Sequence, residues 1–515
     1  MRKKFLFVFL AVFFVLISGV KVQNTAYAQE SDQLVVVSPW KAASLDPVSS
    51  GFVFTRMGCL ETLVNSDRRG GIEPGLAEKW EISEDGLEWT FFLRENVSFH
   101  DGSVFTPEAA STALNHALEQ GAFQGVGIKW IKAGDDNTLL IKTQNPISAL
   151  PSFLAHYSVA VGAPVMYDTG FEQIAGTGMY KFSSRQGLTH FEFEAFTDYW
   201  GEQALIQNTV YRAVANPETR ALMAESGEAH IVVTVSPQAA FRLANHPRVE
   251  IHSAALPRVR LIKLNTALPF FEDEDIRKAL SMAIDRQSIA AALLDNRETA
   301  ATQLLPPTSA WHDRESNGFG HFKHDPEQAK KILRDAGWST GRDGILEKNN
   351  TRFSFEMLTY AARPSLPVIA EAVQAQLRDV GIEAKITVAE AGMIPDRHSN
   401  NTLESALLAR NFGQIPDAVA TIMTDFGPAE ERGGWGAMNW NSDKLNLLLQ
   451  QYMQTFDDHA RNEMGLEIVR VLNEEMPVIP VAWYDNHVSV STQIGGFEQD
   501  PFELRSYAEG VFFTR

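Results

Sequence analysis

The N-terminal segment limits what this chain can become more than any other feature, because it decides the compartment in which the protein folds. A basic start at 2–4 precedes an apolar run over 5–20, and Ala26-Tyr27-Ala28 follows. This order is typical of a secretory signal peptide that is cleaved after Ala28. The apolar run of 16 residues is shorter than the roughly 20 that a helix needs to span a bilayer. We therefore expect an exported, soluble protein, with a signal anchor as the alternative.

The single cysteine bears on how the exported protein is held. A bacterial lipoprotein carries its lipid on a cysteine at the cleavage site, whereas Cys59 lies 31 residues beyond the expected cut. We therefore expect no lipid anchor and free diffusion in a Gram-negative periplasm. One cysteine also cannot form an intramolecular disulfide.

Length and charge restrict the partners of the mature chain. Cleavage would leave 487 residues, which is more than one hydrophobic core supports, so two or three sub-domains are expected. It would also leave 41 basic residues against 64 acidic ones, a net charge of −23. A surface this acidic argues against nucleic acid and anionic membrane as partners. We expect a monomer that does not bind nucleic acid.

Strands and helices alternate along the chain, which predicts the α/β class. A Thr-Pro-Glu helix start at 106–108 predicts a helix through Leu118. Further on, β-rich runs at Phe353–Leu358 and Ile382–Val388 flank a helical pattern over Pro367–Val380. This strand–helix–strand unit is typical of an open, doubly wound sheet.

Five short blocks stand in order along nearly the whole mature chain. They are 73–80 with 89–94, 100–110, 176–180 with 199–201, 264–266 with 276–280, and 325–338. Together these blocks resemble the family 5 extracellular solute-binding proteins of ABC importers, the family that holds the dipeptide-, oligopeptide- and nickel-binding proteins.

The resemblance implies a type II periplasmic binding protein of the large, cluster C-like form. Such a protein has two lobes joined by crossover strands, an extra sub-domain, and a ligand cleft that closes about a hinge. It implies four parts of the chain. They are a signal peptide (1–28), lobe I with the inserted sub-domain (29–263), lobe II (264–478) and a C-terminal return to lobe I (479–515).

The implied function is the capture of a small zwitterionic solute for an ABC permease in the inner membrane. Short peptides are the first candidate, and a chelate of nickel or another metal is the second. Presentation of a ligand to a membrane chemoreceptor is the alternative of another class. No Gly-x-Ser-x-Gly elbow is present, and His321 and His324 lack a further ligand nearby. We therefore predict no enzyme, no resident metal and no cofactor.

The segment 407–417 supplies three candidate ligand contacts. In peptide-binding relatives an aspartate of this region accepts the ligand ammonium, and the resemblance carries that role to Asp417. Arg410 is the candidate for a ligand carboxylate, and Phe412 for apolar cover. A turn or helix-cap role is the alternative for Asp417.

Four further candidates come from the two lobes. Phe54 and Arg56 lie in a stretch that resembles a cleft-lining helix, where an arginine grips a carboxylate or forms an ion pair. Tyr157 follows His156, which stands where nickel-binding relatives place an arginine, so nickel-chelate chemistry does not transfer directly. Trp435 lies in a glycine-rich loop that is expected to cover the cleft, with simple packing as the alternative.

Overall fold

The computed structural model describes residues 33–123, 125–314, 319–429 and 432–514. The predicted signal peptide over 1–28 lies outside these residues. Within the described ranges, no helix combines the length and the apolar character that a membrane crossing requires.

The strands of the described residues, in chain order, are β1 (Gln33–Ser38), β2 (Val64–Ser66), β3 (Ile72–Pro74), β4 (Ala77–Ile82), β5 (Glu88–Leu93), β6 (Ile128–Ala133), β7 (Thr138–Thr143), β8 (Tyr180–Gln186), β9 (His190–Ala195), β10 (Asn208–Ala213), β11 (Ile231–Val235), β12 (Val249–Leu264), β13 (Ser339–Thr340), β14 (Leu346–Lys348), β15 (Thr351–Arg352), β16 (Ser354–Thr359), β17 (Glu383–Val388), β18 (Ser405–Asn411), β19 (Val478–Ser491), β20 (Ile494–Gly495) and β21 (Phe512–Phe513).

The α-helices of the same residues are α1 (Pro47–Arg56), α2 (Pro107–Glu119), α3 (Leu150–Phe153), α4 (Pro164–Asp168), α5 (Pro217–Ser226), α6 (Pro237–Leu243), α7 (Glu274–Ala283), α8 (Arg286–Leu293), α9 (Pro326–Asp335), α10 (Ser365–Asp379), α11 (Met393–Ser399), α12 (Ala418–Phe426), α13 (Asp443–Gln454) and α14 (Asp458–Glu475). Short 3₁₀ turns cover Tyr157–Val159, Arg297–Thr299 and Gly320–Phe322.

Ten strands form one central sheet in the order β17-β16-β18-β12-β19-β11-β1-β10-β9-β8. Side chains alternate across it: on β1, Leu34 and Val36 enter one hydrophobic core, whereas Val35 and Val37 enter another on the opposite face. A strand covered on both faces reads as the continuous apolar run that β1 shows. This mixed sheet with its helices confirms the predicted α/β class.

Two long strands, β12 and β19, run antiparallel along most of their length and join the two halves of this sheet. The second part of β12, 258–264, also pairs with β18, whereas 487–490 of β19 pairs with β11. A register shift leaves Pro257 and Arg258 of β12 without a partner on β19. Proline is tolerated at such a β-bulge, and the bulge bends the strand where the half-sheets meet.

A separate four-stranded sheet, β4-β5-β7-β6, is antiparallel and packs against α2. As predicted, Thr106 caps α2: its hydroxyl accepts the N–H of Ala109 at 3.3 Å. The predicted strand–helix–strand unit is also confirmed, since β16 and β17 are parallel neighbours joined through α10. The division of the chain at 28, 263 and 478 stays a prediction.

Candidate functional site

A cavity of about 500 Å³ lies where the two half-sheets meet, beside the β12 bulge. Strands, helix α1, loops and the C-terminal segment all contribute to it. Its lining residues are Trp40, Lys41, Ser49, Phe52, Arg56, Tyr157, Arg258, Tyr360, Arg363, Ala391, Gly392, Ala409, Arg410, Asn411, Gln414, Trp435 and Glu503.

Helix α1 presents one face to this cavity. Asp46 caps it, accepting the N–H of Val48 at 2.9 Å. Phe52 and Arg56, four positions apart, therefore lie on the same face and both line the cavity. Phe54 points to the other side and packs edge-to-face on Phe191, with ring centroids 5.5 Å apart. Phe54 is therefore a core residue, because it lies two positions after Phe52 in the helix and so projects from the opposite face.

Glu503 is the centre of a buried charge cluster in the cavity wall. Its carboxylate pairs with Arg258, and its backbone carbonyl accepts the Nε–H of Arg56 at 2.8 Å. Burial alone would raise the pKa of Glu503, but Arg258, Arg56 and Arg363 outweigh burial and hold that pKa at about 2. Glu503 is therefore a carboxylate at any physiological pH.

Two lining residues present hydrogen-bond donors that no described group accepts. Arg258 and Asn411 are direct partners on β12 and β18. The Nε and Nη1 of Arg258 and the Nδ2 of Asn411 are buried without a partner. The amide of Asn411 is oriented by the N–H of Gly413, which donates to Oδ1 at 2.8 Å. Buried donors of this kind are costly unless something accepts from them.

Three arginines in and beside the cavity wall pack against the ring of Tyr484. Three guanidinium carbons lie within reach of its face, those of Arg258 at 5.1 Å, Arg260 at 4.1 Å and Arg363 at 5.2 Å from the centroid. Arg363 also donates to the phenol oxygen at 3.3 Å. Although burial acts the other way, these cations lower the pKa of Tyr484. The face of the aromatic ring attracts these cations through its quadrupole.

Arg410 lines the cavity from the opposite wall and is already paired. Its Nε and Nη2 donate to the two oxygens of Asp425 at 2.5 and 2.8 Å. Burial opposes the charge of Arg410, but Asp425 raises the pKa of Arg410 above its ordinary value. The guanidinium is a fixed cation whose remaining edge faces the cavity.

The loop that carries Trp435 is held in place by a buried lysine. Lys263, fully buried in β12, donates to the carbonyl of Gly434 at 2.7 Å and contacts Nδ1 of His398 at 2.5 Å. Burial lowers the pKa of Lys263 to about 7. Trp435 itself is half-buried and lines the cavity, and its role as a cover stays a prediction.

Asp417 lies outside this cavity. It is the N-cap of α12, and one oxygen accepts the N–H groups of Val419 and Ala420 at 2.9 and 3.3 Å. The hydroxyl of Tyr452 and the guanidinium of Arg461 donate to the other oxygen at 3.0 and 2.7 Å. Its oxygens are thus occupied by the protein. The helix-cap alternative describes this position, and the residues of the same segment that line the cavity are Ala409, Arg410, Asn411 and Gln414.

The remaining candidates divide between two cavities. Tyr157 lines the central one and packs edge-to-face on Phe52, with centroids 5.8 Å apart. Phe412 is almost fully buried and lines a second, more apolar cavity of about 390 Å³ together with Asp417. Residues 411–414 run between the two cavities: Asn411 and Gln414 line the central one, whereas Phe412 and Gly413 line the second.

Sequence reasoning found Arg56, Tyr157, Arg410 and Trp435 and missed the rest of the charged lining. The missed residues are Lys41, Arg258, Arg363 and Glu503. A signal for Arg258 was present: Arg258, Arg260 and Lys263 interrupt an otherwise apolar strand over 256–264. Glu503 carried none, because its partner lies 245 positions away.

A ligand-sized cavity beside crossover strands between two half-sheets defines a two-lobed solute-binding protein. The chain belongs to the bacterial extracellular solute-binding proteins, family 5 Middle, which matches residues 71–432. This confirms the predicted family of ABC-importer binding proteins.

Relatives and solved structures agree with that assignment. The glutathione-binding protein GsiB of Salmonella paratyphi A is 25% identical over 81% of this chain and 82% of its own. NikA from Staphylococcus aureus in complex with Ni(L-His)2 covers 94% of this chain and 100% of its own at 19% identity, with TM-score 0.81. AgaA from A. tumefaciens R10 in complex with agropinic acid covers 94% and 99% at 21% identity, with TM-score 0.81. The two structures establish the predicted type II periplasmic binding protein fold.

Proposed function

We propose that this chain is the periplasmic substrate-binding component of an ABC importer that captures a short, acidic peptide or peptide-like solute. Such a solute carries more carboxylates than ammonium groups. The observation that carries this proposal is the set of buried, unaccepted donors on Arg258 and Asn411 inside a cavity lined with further cations.

The charge of the lining favours an anion over a zwitterion. Its cationic members are Lys41, Arg56, Arg258, Arg363 and Arg410. Within the described lining, the acidic side chain is Glu503, and Asp425 behind the wall offsets Arg410. A buried excess of positive charge is costly until a counter-ion completes it. Guanidinium groups match the planar carboxylate in bidentate geometry.

Two of the comparisons name ligands of this class. Glutathione, named for the GsiB relative, is a tripeptide with two carboxylates and one ammonium. Agropinic acid, bound by AgaA, is likewise an acid. The second candidate, a metal chelate, would present the carboxylates of its chelator to the same arginines.

Several finer points belong to the same proposal. The protein would hand its solute unchanged to a permease of the inner membrane rather than turn it over, and would act as a monomer without a lipid anchor. Asp417 has no role as an ammonium acceptor in this proposal, because groups of the protein already occupy its oxygens.

The first test is native mass spectrometry of the protein purified from its own periplasm, followed by denaturation and identification of the released solute. We expect an acidic peptide or peptide-like molecule. A metal released with an organic chelator would favour the second candidate. Release of a neutral or cationic solute would contradict the proposal.

The second test is calorimetry with glutathione and with the tripeptides Ala-Gln-Gln, Ala-Gln-Glu and Ala-Glu-Glu, which have the same shape and increasing negative charge. We expect Arg258→Gln to weaken the best binder by roughly 10–100-fold, the scale of a charged hydrogen bond. The matched control is Arg212→Gln, which removes a surface partner of Glu228 at 2.7 Å and should leave affinity unchanged.

A further inference from the structure

The C-terminal segment delivers one carboxylate into the cavity from a tightly held turn. The side chain of Asp500 accepts the N–H groups of Phe502, Leu504 and Arg505 at 2.9, 2.7 and 2.9 Å. Inside this turn Glu503 has a φ of +58°, a left-handed conformation that is uncommon for residues other than glycine. A conformation of this kind persists where the surroundings over-determine it.

The carboxylate of Glu503 is not free in the cavity wall. It pairs with Arg258, and the two side chains are only 10% and 1% exposed. Arg56 holds the backbone of the same residue through its carbonyl. Glu503 therefore occupies the position of a negative charge among guanidinium groups, in the way that a ligand carboxylate would.

We propose that Glu503 is a specificity-determining residue that sets how many negative charges the ligand carries. This inference rests on the proposed function. By neutralising one guanidinium from within the chain, Glu503 lowers by one the number of negative charges that the cavity accepts from a ligand. The Nε and Nη1 of Arg258 have no acceptor among the described residues.

The competing role is structural. In that role Glu503 only anchors the C-terminal turn, and its loss would weaken every ligand alike. Charge setting makes a different prediction, because removing one negative charge from a low-dielectric wall favours an additional negative charge on the ligand. The ratio of affinities for two ligands of equal shape separates the two roles.

The test is Glu503→Gln, titrated by calorimetry with Ala-Gln-Glu and Ala-Glu-Glu. Relative to the unmodified chain, we expect the affinity ratio to shift about tenfold or more toward Ala-Glu-Glu. The matched control is Glu73→Gln, which pairs with Arg505 at 2.6 Å beside the same turn. It lies outside the cavity and should leave the ratio unchanged.

A second comparison keeps the test valid where Glu503→Gln alone does not fold. Arg258→Gln removes a positive charge while Glu503 remains, so the ratio should move toward Ala-Gln-Glu. Adding Glu503→Gln to that variant restores the net charge of the cavity and should return the ratio to its original value.

The outcomes distinguish the two proposals. An unchanged ratio in Glu503→Gln, or in the double variant relative to Arg258→Gln, overturns the role of Glu503 and leaves the proposed function standing. Failure of the unmodified chain to prefer either acidic tripeptide or glutathione over Ala-Gln-Gln overturns the proposed function itself.

Discussion

Two buried carboxylates of this protein, Asp417 and Glu503, both pair with arginine, yet their surroundings differ in one respect. Around Asp417 one guanidinium, one phenol and two backbone N–H groups use the carboxylate oxygens. Around Glu503, three guanidinium groups, those of Arg258, Arg56 and Arg363, face a single carboxylate.

This difference distinguishes a carboxylate with a structural role from one that belongs to a binding site. A carboxylate whose oxygens are all used by its own chain stabilises the fold and has little left for a ligand. A cluster in which guanidinium groups outnumber carboxylates is incomplete until a solute supplies further oxygens. The excess of guanidinium groups in the cavity wall, rather than the presence of a charged pair, marks the cavity as the candidate site.

The largest expected effect tests the structural side of this comparison. Asp417→Ala removes a helix cap and leaves Arg461 and Tyr452 without their acceptor, so the free energy of unfolding should fall by about 2–4 kcal/mol. Ligand affinity, measured on the folded variant, should stay the same. Denaturant unfolding and calorimetry measure the two quantities.

The matched control for that change is Asp457→Ala. Asp457 also caps a helix, accepting the N–H of Ala460 at 2.8 Å, but within the described part of the chain no arginine side chain pairs with its carboxylate. Its loss should cost only about 1 kcal/mol. A large loss of affinity in Asp417→Ala would instead support Asp417 as the acceptor of a ligand ammonium and contradict its purely structural role.

The next effect tests the binding side. Arg363 lines the cavity, and its guanidinium lies 5.0 Å above the ring of Trp40. Arg363→Gln should weaken binding of the acidic tripeptides by about 10-fold or more, since a charged donor is lost. Arg461→Gln is the counterpart from the Asp417 cluster and should lower stability without lowering affinity. Equal effects of both variants on affinity would remove the distinction.

A pH series tests the wall that supports Trp435. Burial lowers the pKa of Lys263 from 10.5 to about 7, so between these values the unfolded chain binds more protons than the folded one. Stability relative to Lys263→Met should therefore rise as the pH is raised above 7, by at most about 1.4 kcal/mol per pH unit. Urea unfolding of both proteins at pH 7, 8 and 9 measures the slope, and parallel curves would contradict the shift.

The smallest expected effect concerns the cover of the cavity. Trp435→Ala removes an aromatic wall without touching a charge and should weaken every tripeptide by about 1 kcal/mol, with no change in their order. Trp130→Ala is the control, because Trp130 lies on β6, away from the cavity, beneath Lys132 at 4.7 Å. A change in the order of the tripeptides would show that Trp435 reads charge.

Local chemistry made much of the fold predictable. Thr106 caps α2 as expected, and the same Asp-Pro-Glu chemistry at 325–327 lets Asp325 cap α9 by accepting the N–H of Gln328 at 2.9 Å. Gly337 ends the second of these helices with a φ of +88°, which glycine adopts without strain. Such signals act over a few residues, so they are visible in a single sequence. The apolar run over 477–483 also indicates a strand, but β19 is longer than this run and continues to Ser491.

The site was predictable only in part, because it depends on contacts between distant segments. Arg56 follows from the face of a capped helix. Arg258 depends on a bulge in β12, and Glu503 on a turn that Asp500 shapes from the far end of the chain. For Asp417 the sequence left two roles open, a ligand contact and a helix cap. The spacing of residues in the segment could not distinguish them, and the structure has the helix cap.

The β12 bulge and the C-terminal turn also govern when the cavity comes into being. Trp40 and Glu503 line the same cavity although 463 positions separate them. A chain that emerges N-terminus first, from a ribosome or a translocase, cannot complete this cavity until residue 503 has passed through. Capture of a solute is thereby postponed to the final stage of biogenesis, and a nascent chain still in transit has no finished site with which to retain one.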